Sequence, residues 1–220
     1  MHDLYDIVIW IGTGVILVSF IIALYITKKD IPDYLKKFYL VPLITLLISA
    51  NTILGAYINL YPKKLSILAT IQNTLSLFDF IFWGFFFCYW LKQNSRFIFF
   101  SFFLIIILLR VSMGFSKVGF EIHAITNFGK TLFCIFYFYE LFKAAPKLNL
   151  KNHPSFWIVT GLFFYSCISF PEYAVDNYLR TRLPREISRN LFSSTNIAII
   201  IMHLLFIKAY LCSIRQPRAF

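Results

Sequence analysis

The chain has 220 residues, of which 59% are hydrophobic and 20% aromatic, and only 14% carry a charge. A soluble core of this size does not use apolar residues so freely. The 21 Lys and Arg outnumber the 10 Asp and Glu, but they are scattered between apolar runs, which argues against direct nucleic-acid binding and fits membrane topology and anionic lipid.

Seven predominantly apolar stretches of about 17 to 25 residues occupy nearly the whole sequence, and a bilayer core about 30 Å thick takes roughly 20 helical residues to cross. The expected fold is therefore all-α: a polytopic membrane protein, with residues 1–220 forming a single seven-transmembrane-helix bundle. The first helix is predicted over 5–27. Its leader, Met1 to Asp6, carries acids and no Lys or Arg, unlike the basic start of a cleavable signal peptide. Further helices are predicted over 38–60, 65–91, 97–113, 119–143, 155–171 and 188–213. No Gly/Ser linker, low-complexity run or internal repeat divides them.

An odd number of spans puts the termini on opposite sides. Lys28, Lys29, Lys36, Lys37, Lys92, Arg96, Lys143, Lys147, Lys151, Lys208, Arg215 and Arg218 share one side, twelve of the 21 basic residues. That side is expected to be cytoplasmic, giving an outside N-terminus and an inside C-terminus. Arg180, Arg182, Arg185 and Arg189 weigh against this, because they gather between the sixth and seventh helices. The segment 172–187, which holds three of them, suits either a short helix in the headgroup zone or a hydrated loop. Cys88, Cys134, Cys167 and Cys212 lie inside or at the ends of spans without CxxC spacing, as small packing residues do.

Ionisable residues inside spans are costly unless they face the bundle interior or water. At about 1.5 Å of rise per residue, Asp79 lies roughly 20 Å and Lys130 roughly 17 Å from the outer ends of their helices. His203 sits at a similar depth. On the fifth helix His123, Asn127, Lys130, Cys134, Tyr137 and Glu140 recur at spacings of three and four, which makes one polar stripe. The third helix repeats the pattern with Gln72, Ser76, Asp79 and Trp83, and Asn73 adjoins it. The seventh offers Arg189, Ser193, Asn196 and His203, and the second Thr52, Gly55 and Asn59. The candidate seam is thus Asn59, Gln72, Asn73, Asp79, His123, Asn127, Lys130, Asn196 and His203. Two readings stay open: an Asp79 to Lys130 ion pair with surrounding hydrogen bonds that pins helix packing, or a water-filled pocket for a small polar ligand or ion.

Enzyme signatures are missing: there is no HExxH, GxSxG, paired-Asp motif or nucleotide-binding glycine loop. No catalytic residue, metal site or cofactor is expected. A retinal-binding reading needs a lysine midway along the seventh helix, where Asn196 to Phe206 has none. The Pro-Gln signature of seven-helix sugar transporters is absent too.

Several strings resemble an uncharacterised family of small seven-helix integral membrane proteins common in Bacteroidota-type bacteria. They are IPDYLKKFYLVPLITLLI at 31–48, Asn73 with Asp79-Phe80, FYFYELFK at 136–143 and PSFWIVTGLFFYS at 154–166. The resemblance implies a bacterial inner-membrane location and association with a signalling or defence partner, and it brings no ligand. The expected function is a receptor-like or ligand-binding membrane module that signals through a separate cytoplasmic or membrane protein. The alternative is a small-solute or ion transporter, or a pore-forming effector of a bacterial defence system built as a homo-oligomer.

Overall fold

The apolar runs fold into helices whose ends follow local chemistry. In the computed structural model, residues 4–29, 31, 33–58, 62–90, 93–113, 120–144 and 150–215 are described. Helix α1 (Leu4–Thr27) is apolar almost throughout, with Asp6 in its first turn, where a carboxylate meets the positive end of the helix dipole. The four-residue α2 (Asp33–Lys36) is closed by its own Lys36 to Asp33 ion pair at 2.6 Å. Helix α3 (Leu40–Ile58) carries Pro42 in its first turn, where a missing N–H breaks little. Helices α4 (Pro62–Trp90) and α7 (Pro154–Arg182) both begin on a proline, the residue whose fixed φ suits the first helical position. Helices α5 (Gln93–Met113), α6 (Phe120–Ala144) and α8 (Arg185–Arg215) complete the bundle, with a 3₁₀ turn at Leu150–Asn152 ahead of α7.

Among the described residues there are seven long helices and no strand. Five segments are long and apolar enough to cross a membrane: Tyr5–Thr27, Asp33–Leu54, Ile67–Tyr89, Pro154–Val175 and Ser193–Ile214. The polar stripe of α6 lowers that helix's mean hydropathy.

The largest departure from expectation is at 172–187. It is neither a separate interfacial helix nor a hydrated loop: α7 runs on to Arg182 and α8 starts at Arg185, so only Leu183 and Pro184 separate them. Pro171, which marks the expected end of the sixth span, sits inside α7. A proline removes one backbone bond and crowds the carbonyl one turn earlier, but the next residue, Glu172, is tied to α8 by hydroxyl donors from Ser194 and Thr195. That cross-link holds the continuation in place.

Helices α7 and α8 pack along each other in opposite directions, with α6 against α7 and α1 against α8. The main core lies toward the ends of α1, α4, α6 and α8 that follow in sequence, and the start of α7. It gathers Phe38, Trp83, Phe87, Phe133, Ile158, Leu162, Met202, Phe206 and Tyr210. Phe38, from the link between α2 and α3, is fully buried. Its ring is 5.1 Å from Phe206 and 5.7 Å from Trp83, both edge-on, an arrangement the ring quadrupole favours.

Candidate functional site

Asp79 on α4 and Lys130 on α6 form a direct ion pair through Oδ2. The other carboxylate oxygen, Oδ1, accepts the indole N–H of Trp83 at 3.1 Å. Trp83 follows Asp79 by one helical turn, so its side chain stands on the same face. Lys130 is 6% exposed, and each carboxylate oxygen of Asp79 has one donor. The pair is therefore neutral as a unit and hydrogen-bonded at both oxygens, the condition under which buried charge is tolerated.

The second polar contact crosses from α3 to α4. Asn51 donates through Nδ2 to the Gln72 side-chain oxygen at 3.0 Å and to the Leu68 carbonyl at 3.1 Å. The expected α3 stripe is thereby corrected. Thr52 is exposed and bonds back to the Ile48 carbonyl, because one residue along a helix turns the side chain about 100° away. Asn51, not Thr52, is the inward polar residue. Asn59 lies outside the described residues.

The remaining seam residues divide by burial. Asn73 is fully buried and Asn127 nearly so, and the Asn127 carbonyl accepts the Thr131 hydroxyl. His123 and Asn196 are half-buried, and the His123 ring lies 5.4 Å from that of Tyr173 on α7. His203 is fully buried beside Phe206, ring centroids 5.3 Å apart. It makes no hydrogen bond to the ion pair or to any other described residue. The structure thus joins Asp79 to Lys130, gives Gln72 a partner on α3 and His123 one on α7, and leaves His203 apart.

Two polar clusters were not legible as such in the sequence. Glu172, 8% exposed, takes the Ser194 and Thr195 hydroxyls of α8. Its position after Pro171, in what reads as a loop, hides it. At the other end of α7, the Ser155 hydroxyl is 2.7 Å from His153 Nδ1 and 2.6 Å from the Tyr137 hydroxyl of α6. Burial holds the His153 imidazole below its usual pKa of 6.5. A lone His-Pro-Ser carries no spacing signal that would have announced this chain.

Among the described residues no cluster of His, Cys, Asp or Glu is arranged to hold a metal. An apolar groove of about 340 Å³ lies between α6 and α7, lined by Ala124, Ile125, Phe128, Phe170 and Ala174, and neither Asp79 nor Lys130 is among its lining residues. What the central arrangement offers chemically is one charge pair engaged with one indole donor, and beside it an amide pair, Asn51 with Gln72. No protein-family model, curated protein or solved structure matches the sequence.

Proposed function

We propose that the protein is an integral membrane module of the receptor type, in which the seam centred on Asp79 and Lys130 is the ligand-responsive element. Membrane insertion is supported by the outer surface. Trp10, Ile21, Phe78, Phe85, Phe97, Leu104, Leu108, Leu204 and Leu211 all stand exposed, far more apolar surface than a soluble monomer presents. Lysines paired with aromatics mark one end of the bundle: Lys29 over Tyr25, Lys143 over Tyr139 and Lys208 over Trp157, the last at 3.5 Å. Amphipathic rings and long cationic chains belong at a headgroup interface. With Lys28, Lys29, Lys36, Lys37, Lys151 and Lys208 at the same end, this supports an outside N-terminus and an inside C-terminus; a bacterial inner-membrane location is proposed on the resemblance of the sequence strings alone.

The observation that carries the reading is the buried Asp79 to Lys130 pair. A pair held at both carboxylate oxygens between α4 and α6 has two discrete arrangements, closed on itself or opened by a ligand that supplies competing charge. Opening it moves α6, and with it α7, toward a partner at the inner face.

The test is complementation of a chromosomal deletion by the Asp79→Asn, Lys130→Met double variant. That variant removes the charges together and is expected to insert and purify normally yet fail to complement. A folded double variant that restores the phenotype makes the pair a packing device and ends the receptor reading. Ion or solute flux across proteoliposomes holding the wild-type chain would assign it to transport instead. Orientation is read from tags: one after Phe220 should be shielded in intact cells and one before Asp3 labelled from outside, and the reverse result inverts the assignment.

A further inference from the structure

Of the lysines that lie over aromatic rings at the end of the bundle where α7 begins, one differs in kind. Lys29 over Tyr25 and Lys143 over Tyr139 are local contacts between residues four apart, at 4.8 and 5.7 Å from the ring centroid. Lys208 over Trp157 is a contact between α8 and α7, and its ammonium stands 3.5 Å from the centroid. A local pair follows from the helix repeat alone. A contact between helices at that distance requires both elements to be held.

They are held at one atom. The Lys151 carbonyl, in the 3₁₀ turn ahead of α7, accepts the Trp157 indole N–H at 2.9 Å and the Cys212 thiol at 3.6 Å. Cys212 follows Lys208 by one turn of α8, so the two share a face. The 3₁₀ turn, the start of α7 and the end of α8 thus meet at the indole: Lys208 covers its face, and the Lys151 backbone lies against its nitrogen edge. The Lys151 side chain therefore leaves the backbone one hydrogen bond away from the ring that carries the Lys208 ammonium. Both lysines are exposed, and neither is paired with a carboxylate among the described residues. An ammonium has three donors, and a ring face covers only one side of it, so Lys208 keeps donors for an anion.

The surroundings say what kind of anion. Leu204 and Leu211 flank Lys208 along the same face of α8, and both stand exposed. Lys208 thus projects from an apolar stripe rather than from a polar face. In a bilayer such a stripe meets acyl chains, and a lysine on it extends along the stripe to the headgroups.

We propose that Lys208 and Lys151, set about the Trp157 ring, form a binding site for the phosphate of one anionic phospholipid whose acyl chains run along the α8 stripe. The ring holds one ammonium in place and shields one side of it from water, which strengthens its pull on a negative partner. An anionic headgroup supplies the charge that the site lacks. A zwitterionic headgroup brings its own cation to its phosphate and gains less, and a dissolved anion leaves the apolar flank uncovered. The inference rests on the membrane insertion in the proposed function, and on neither the receptor role nor the orientation.

The test is native mass spectrometry of the full chain released from nanodiscs of phosphatidylglycerol and phosphatidylcholine in equal parts. The wild-type chain is expected to carry one phosphatidylglycerol out of proportion to the mixture. Lys151→Gln with Lys208→Gln, both at exposed positions, is expected to lower that preference roughly thirtyfold, about fivefold for each lysine at an anionic surface. Lys29→Gln with Lys143→Gln removes the same charge from the same end and is expected to leave the bound lipid in place. Equal uptake of the two lipids by the wild-type chain overturns the proposal. An equal fall in both double variants also overturns it, because the lipid then answers diffuse charge rather than a site. Displacement of the bound lipid by inorganic phosphate does the same, by making the site one for a dissolved anion. Alkaline carbonate separates this inference from the membrane reading: a chain washed off vesicles fails that reading, whereas a chain that stays in the bilayer without selecting phosphatidylglycerol fails this inference alone.

Discussion

The two halves of the bundle are held by different physics. Around Phe38 the contacts are rings: Phe82, Trp83, Phe86, Phe206 and Tyr210 lie with centroids 5.1 to 6.0 Å away. In the other half ring contacts such as Phe128 with Phe170 are joined by polar pairs between helices: Asn51 with Gln72, Asp79 with Lys130, Glu172 with Ser194 and Thr195. In a bilayer apolar side chains gain little by leaving lipid, so the aromatic half contributes close packing and dispersion rather than a hydrophobic driving force. Polar groups gain a great deal by finding one another, because lipid offers no partner. Packing supplies volume there, and pairing supplies register. Trp83 joins the two, its ring in the aromatic cluster and its N–H on Asp79.

The largest expected effect breaks the polar half. Asp79→Asn or Lys130→Met alone leaves an uncompensated buried partner, with an expected loss of about 3–5 kcal/mol. The double variant should recover much of that loss, and the recovery is the signature of a pair. Thermal melts of the purified chain in a lipid environment measure it. Additive losses in the double variant would show that the two charges act independently and would remove the basis for treating this half as paired.

A smaller effect is expected where packing rather than pairing decides. A Cβ on Gly129 of α6 would run into the Phe102 ring of α5. Gly129→Ala forces that ring, which also lies 6.2 Å from Phe133, to move. Overpacking of this kind costs about 1–3 kcal/mol. Gly129→Ala with Phe102→Leu should regain part of the loss. If Gly129→Ala melts with the wild type, α5 is held too loosely for the aromatic half to be a packed core.

The Asn51 to Gln72 bond sharpens the comparison further. Side-chain hydrogen bonds between membrane helices are worth roughly 0.6–2 kcal/mol. Asn51→Leu should fall in that range, and Asn51→Leu with Gln72→Leu should cost less than the sum of the singles. A cost near zero would confine pairing in this half to the charged residues.

Much of this was legible in the sequence, and what was not failed for physical reasons. Helix number and most ends follow from apolar runs, which the backbone must resolve as helices. The facing of Asp79 and Lys130 follows from depth and periodicity alone. Asn51 was passed over for Thr52 because a run such as LLISANTILGAYI is apolar on nearly every face and fixes no rotation. The continuation of α7 through Pro171 was hidden because its compensation, a carboxylate held by two hydroxyls, is tertiary and lies more than twenty residues away. The isolation of His203 from the seam was equally out of reach: its stripe on α8 gives a direction but not the neighbour it meets.

The smallest effect concerns pH at the aromatic end, where one polar chain interrupts the packing. With Nδ1 of His153 unprotonated, Ser155 donates to it at 2.7 Å, and the Tyr137 hydroxyl completes the link to α6. Burial keeps this imidazole's pKa below the usual 6.5 in the folded protein, while the unfolded chain titrates near the ordinary value. Below that ordinary value the unfolded state therefore binds the proton more readily than the folded one, and stability falls as pH falls. Above it both states are neutral and this contribution is complete. The melting temperature should thus be level from pH 8 to 7 and decline on acidification from about 6.5 downward, the range set by the unperturbed imidazole. His153→Gln, which keeps a polar side chain that does not titrate, should flatten that part of the decline. Parallel pH profiles for the two proteins would mean that His153 takes its proton without disturbing Ser155 or Tyr137, and the packing of the aromatic half would then be insensitive to this hydrogen-bonded link.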